Sequence, residues 1–185
     1  MLRRLVACGL MLAVAFGTAA AREDRDDKTS GDRHSDKAFV LKASESGMAE
    51  VDTARLALRL ASHDAVRKFA QKMVEDHGKA NAELLELANK KGYKLAPSMD
   101  ADHAAAAKKL ATLEGKAFDK EYIAGQVKDH ELVVKIFDKQ AKDGSDKELA
   151  AWAKKTVPHL REHLKMAKNI HAKLEGKGGD RKDRD

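Results

Sequence analysis

Apolar residues recur at three-and-four spacing through four long stretches, Asp36 to Ala61, Ala65 to Lys91, Lys116 to Lys142 and Asp146 to Leu174. That period puts one stripe of each stretch on a single helical face and commits the chain to helices packed stripe against stripe. In the first stretch the stripe is Val40, Ala43, Gly47, Val51, Ala54, Leu58 and Ala61. In the second it is Val66, Phe69, Met73, His77, Ala80, Leu84 and Leu87. The third carries Ile123, Val127, His130, Val134, Phe137 and Ala141, and the fourth Leu149, Trp152, Thr156, His159, His163, Met166 and Ile170. Two prolines in 185 residues and no alternating β-branched runs leave nothing that argues for strands. An all-α domain is expected.

Short turn signals join the first and second stretches and the third and fourth. Ser62-His63-Asp64 offers Ser62 or Asp64 as the cap of the second helix, and Asp143-Gly144-Ser145-Asp146 turns the chain into the fourth. Lys91-Gly92 ends the second, where glycine suits a left-handed cap. Pro158 removes the partner of the Lys154 carbonyl and predicts a bend. The link from Gly92 to Gly115 is longer and holds a short Ala-rich helix, about Asp100 to Leu113. Two short-turn hairpins joined by one long crossover make a ferritin-like four-helix bundle. A short helix folded across one end is the alternative.

The ends differ in kind. Arg3 and Arg4 precede an apolar run from Leu5 to Phe16 and then Gly17-Thr18-Ala19-Ala20-Ala21, the pattern of a cleaved secretory signal over residues 1–21. The run is too short for a membrane anchor, so a periplasmic or secreted protein with no transmembrane anchor is expected. Cys8 after Leu5-Val6-Ala7 offers a lipoprotein cleavage site as the weaker reading, since almost no apolar segment precedes it. Cleavage after Ala21 removes this lone cysteine, and with it disulfides and thiolate chemistry. Residues 22–35 and 175–185 are charged and nearly free of apolar side chains, so both are expected to stay disordered around a folded domain at 36–174.

The formal charge of +6 falls by two without Arg3 and Arg4, lysines and acids alternate rather than cluster, and aromatics are only 4%. A nucleic-acid partner is therefore not expected. An envelope protein or a second copy of the chain remains open as a partner.

What the helices carry inward is more informative. His77 and His130 occupy stripe positions, and His159 and His163 share one face of the fourth stretch. Glu50, beside the first stripe, lies about 12 residues before the first turn and His77 about 14 after it, a mismatch of roughly 3 Å at 1.5 Å per residue. These groups can meet inside a bundle as metal ligands. On depth alone His159 fits, with His163 one turn deeper. Val74-Glu75-Asp76-His77, Val127-Lys128-Asp129-His130 and Leu160-Arg161-Glu162-His163 repeat one pattern that favours His163. Within one helix such neighbours diverge, so each acid is free to accept a hydrogen bond only from another helix.

The chain resembles the ferritin-like domain of unknown function 4142 family over Phe39 to Leu174. The likeness rests on Phe39, Ala43, Gly47 and Glu50; on Phe69-Ala70, Met73-Val74 and Asp76-His77; on Leu95, Pro97, Gly115, Phe118-Asp119, Tyr122 and His130; and on Pro158, Leu160 and His163-Leu164. It implies a secreted ferritin-like bundle, supports His163 over His159, and implies no particular activity.

Carboxylate-bridged di-iron proteins of that fold carry Glu-x-x-His pairs. Here Val74, Val127 and Leu160 stand three before the histidines, so a di-iron oxidase is not expected. His77, His130 and His163 with Glu50 instead suit one zinc, copper, nickel or iron ion. A role in metal handling or envelope stress follows. In the competing reading the histidines hydrogen-bond within the core of a non-metallic structural or interaction module. Catalysis is the least expected role, because no nucleophile with a base at motif spacing and no phosphate-cradling glycine loop is present. Asp119 and Tyr122 read as a first-turn acid and a packed aromatic, and His63, His103 and His171 as loop or surface residues.

Overall fold

The computed structural model describes residues 23–176, with side chains from residue 36 onward. Its five helices are α1 (Glu23–Leu60), α2 (Asp64–Lys91), α3 (Ala101–Leu110), α4 (Gly115–Asp143) and α5 (Lys147–Leu174), and no strand occurs among the described residues. The expected signal segment 1–21, residue 22 and residues 177–185 of the charged tail lie outside them. The backbone of α1 is helical from Glu23, so this helix takes in the charged segment ahead of Asp36. Extending a helix that packing has already nucleated adds one hydrogen bond per residue fixed, whereas starting one costs several residues' freedom for a single bond.

Two buried carboxylates set the topology. Asp119, near the start of α4, accepts from the Ser62 hydroxyl at 2.5 Å, the Ser62 N–H at 3.1 Å and the His63 N–H at 2.9 Å. Asp36 on α1 accepts from the Ser145 hydroxyl at 2.6 Å, the Asp146 N–H at 2.8 Å and the Gln140 amide at 2.6 Å. Each hairpin's turn is thus held by a carboxylate from the other hairpin. The α1–α2 turn and the start of α4 share one end of the bundle, while the start of α5 and the end of α2 share the other, where Lys91 pairs with Asp146 at 3.2 Å. The link between α2 and α4 therefore runs the length of the bundle. This is the ferritin-like arrangement, not a helix folded across one end.

The crossover lies along the α1–α4 face. Lys42 meets Asp100 at 2.5 Å, Ser44 accepts from the Ala96 N–H at 2.9 Å, and Lys109 meets Glu121 at 2.6 Å. Gly92 ends α2 at φ 72°, the left-handed conformation a side chain disfavours, and the N–H groups of Gly92 and Tyr93 both close on the Ala88 carbonyl. Neither expected residue caps α2. His63 does, its Nδ1 accepting from the Ala65 N–H at 3.1 Å, because Asp119 already engages Ser62. The helix of α5 is continuous through Pro158.

The apolar stripes form two clusters stacked along the bundle axis. One is centred on Phe69, Met73, Phe118, Tyr122 and Ile123, and the other on Phe39, Val40, Leu84, Phe137, Leu149 and Trp152. On α2, α4 and α5 the passage from one cluster to the other falls at His77, His130 and His163. A polar layer crosses the waist of an otherwise hydrophobic core.

Candidate metal centre

The register of three helices brings the histidines to that layer. His77 and His130 sit one or two turns beyond residues of the Phe69–Ile123 cluster, and the antiparallel path of α5 carries His163 back to the same height. All three are buried, and their ring centroids lie 5.2 to 5.7 Å apart. One ring nitrogen from each lies within 4.8 Å of the other two.

The remaining ring nitrogens explain which way the rings face. His130 Nδ1 is 3.0 Å from the Gln126 carbonyl of its own helix, and His163 Nε2 is 2.8 Å from a carboxylate oxygen of Asp76 on α2. Both partners only accept at neutral pH, so each fixes a ring N–H on its own side. The lone pairs then belong to His130 Nε2 and His163 Nδ1. These two atoms and His77 Nε2 are buried and have no hydrogen-bond partner. An interior nitrogen left without a donor costs about 1–3 kcal/mol, and three in one layer call for a shared explanation.

Burial sets their charge. It pushes His130 down to about 4 against the pull of the Gln126 carbonyl, and His163 down to about 4 against its hydrogen bond to Asp76. Burial, followed by repulsion from His130 and His163, holds His77 well below the ordinary histidine range. At neutral pH the layer offers three uncharged imidazoles. Asp76 is lowered despite its partial burial, because hydrogen bonds from His163 and Lys72 favour the carboxylate. It stays charged and acceptor-only.

Glu50 stands behind this group. One of its oxygens accepts from the Gln126 amide at 2.6 Å, and the other is 3.5 Å from His130 Nδ1, the ring nitrogen turned away from the cluster. Burial pushes its carboxyl up to about 8, opposed by the Gln126 hydrogen bond. It is not among the three converging residues. His159 is exposed and does not join them either, whereas His163 does. His63 is exposed, and His103 pairs with Asp100 at 2.8 Å, away from the layer.

Sequence reasoning missed Gln126, whose carbonyl orients one histidine and whose amide holds Glu50; its place four residues before His130 was the available signal. It also underread Asp119, which is buried and holds a turn rather than serving a helix dipole. The expectation that an acid would serve a histidine of another helix describes Asp76 and His163.

A scan of family patterns matches residues 19–170 to the domain of unknown function DUF4142. The chain belongs to the DUF4142 family. No curated protein matches it. Among solved structures, this DUF4142 chain is similar to a DUF305 protein of Streptomyces coelicolor, described as secreted, with a TM-score of 0.67, 16% identity, and coverage of 78% of this chain and 96% of that one. A DUF305 fragment from Deinococcus radiodurans also has a TM-score of 0.67, at 14% identity, covering 75% and 96% respectively. At such identities the likeness speaks for the fold alone. Among the described residues of the DUF4142 chain, no helix is long and apolar enough to cross a membrane.

Proposed function

We propose that this protein is an exported helical bundle that binds one divalent transition metal through His77, His130 and His163, and acts in metal handling or in protecting the cell envelope. The observation that carries the reading is the set of three buried imidazoles, each offering one ring nitrogen within 4.8 Å of the others and each with a buried ring nitrogen that has no hydrogen-bond partner. A metal ion would serve all three lone pairs at once. Asp76 and the Gln126 carbonyl occupy the opposite ring nitrogens, as outer partners of metal-bound histidines do.

The donor set fits a borderline metal such as zinc, copper(II), nickel or iron, since imidazole suits these and not the hard oxygen-seeking cations. A tetrahedral ion with bonds of about 2.0–2.1 Å holds its ligands about 3.3 Å apart, so the imidazoles must draw in by up to about 1.5 Å between pairs. Export is supported by Arg3, Arg4 and the Leu5 to Phe16 run, and by a structural neighbour described as secreted.

The test is elemental analysis of the native protein from a periplasmic fraction, together with thermal melting over a panel of divalent metals. One metal per chain is expected in the wild type, lost in His77→Ala and in His130→Ala and retained in His159→Ala. Metal-free wild-type protein whose melting is indifferent to every metal would overturn the reading. The polar layer would then act as a register device between two apolar clusters in an envelope module.

A further inference from the structure

Three imidazoles do not complete a coordination shell, and the surroundings limit what can. Among the described residues no fourth histidine, cysteine, aspartate or glutamate joins the group. Glu50 accepts from the Gln126 amide and lies 3.5 Å from His130 Nδ1, the nitrogen beside the Gln126 carbonyl. Asp76 is committed to His163 Nε2, the ring nitrogen away from the cluster, and to Lys72 at 3.0 Å. Sealed structural sites draw four ligands from the protein, whereas three ligands and a free position characterise reactive ones.

That free position has an approach. A cavity of about 110 Å³ opens between α2 and α5, with His77, His163 and Leu160 at its buried end and the exposed Lys79, Lys155 and His159 toward solvent. Ala80 and Thr156 also line it, from α2 and α5 respectively. The charged groups that line it are balanced, Lys79 and Lys155 against Asp76 and Glu83, with Lys155 paired to Glu83 at 2.8 Å. Entry is therefore selected by size more than by sign. Charge decides at the inner end, because a dication held by three neutral imidazoles, with only the Asp76 carboxylate behind one of them, keeps net positive charge inside a hydrophobic core. A buried, uncompensated charge is strongly unfavourable, so an anion that reaches it is held.

We infer that the site takes a small exogenous monoanion through the α2–α5 cavity as the fourth donor to the metal, which makes it a reactive or ligand-sensing centre rather than a structural one. The inference rests on the metal reading above and adds the class of ligand and its route.

Cobalt(II)-loaded full-length protein titrated with sodium azide tests it through the visible ligand-field spectrum. A saturable change at one azide per cobalt is expected. Ala80→Leu, which fills the cavity wall from α2, is expected to keep one cobalt per chain and weaken azide binding at least tenfold. Thr156→Leu does the same from α5 and stands in where Ala80→Leu fails to fold. Bound cobalt whose spectrum ignores azide overturns the inference and leaves the metal site standing. Azide binding of unchanged strength in both variants overturns the assigned route. Protein that takes up no cobalt, measured before azide is added, removes the metal reading and this inference together.

Discussion

Asp76→Asn isolates the contribution of the group behind His163, one of the three proposed ligands. In the wild type the carboxylate lies 2.8 Å from His163 Nε2 and 3.0 Å from the Lys72 ammonium, with its side chain 29% exposed. It holds the N–H on Nε2 and keeps the Nδ1 lone pair aimed at the cluster. It also lends negative charge to the ring, which strengthens Nδ1 as a donor. Asparagine keeps an oxygen that accepts the N–H but removes the charge. Losses of this kind weaken metal binding about 10- to 100-fold. Partial exposure and the competing Lys72 ammonium place this one at the lower end, about tenfold or about 1.4 kcal/mol. Asp76→Ala also removes the acceptor, frees the ring to take the other tautomer, and is expected to cost several-fold more. Competition for zinc against a chelator of known affinity measures both, with urea unfolding of the metal-free proteins as the control for folding. Unchanged affinity in both variants refutes the reasoning. A loss in Asp76→Asn as deep as in His163→Ala would equally refute it, because the residue would then be acting as a ligand itself.

Further outcomes follow from the same geometry. In metal-free protein, His77, His130 and His163 titrate lower when folded than when unfolded, so the unfolded chain binds more protons and their contribution, present above the ordinary value near 6.5, is lost as pH falls below it, for His130 and His163 as pH nears about 4. Glu50, pushed up to about 8, works the other way: its contribution is present at acid pH and is lost as pH rises from the ordinary carboxylate range to about 8. Below pH 6 the three histidines outweigh the one carboxyl, and Glu50 alone removes about 2 kcal/mol between pH 6.5 and 8. Urea unfolding with chelator present should show a stability maximum near pH 6.5, with the alkaline decline absent in Glu50→Gln; a monotonic rise to pH 8 contradicts this. Asp119→Ala strips the acceptor from three donors of the α1–α2 turn and should destabilise the fold by about 3 kcal/mol, with Asp119→Asn losing less. A urea midpoint that barely moves would show that the turn closes without it.

The helical stretches were legible because burial of one face writes a period into the residues themselves: α2, α4 and α5 begin and end within one residue of the stretches read from that period. The start of α1 at Glu23 was not legible, because composition reports whether a segment can bury apolar surface and not whether a neighbouring helix will continue into it. Asp36 and Asp119 were illegible as turn holders. Each acts across more than 50 residues, on a turn whose donors only the packed hairpins bring near.

The same division runs through the site. That His77 and His130 face inward is a property of each helix taken singly, and residue spacing determines it; for the fourth helix spacing left His159 and His163 on one face, and the repeated pattern and the family resemblance favoured His163. The exposure of His159, the pairing of Glu50 with Gln126 and the placing of Asp76 beside a histidine of another helix were decided by the tertiary structure. Helix rotation and mutual height come from how neighbouring surfaces pack, and a turn of one helix is enough to exchange a ligand for a solvent-facing side chain.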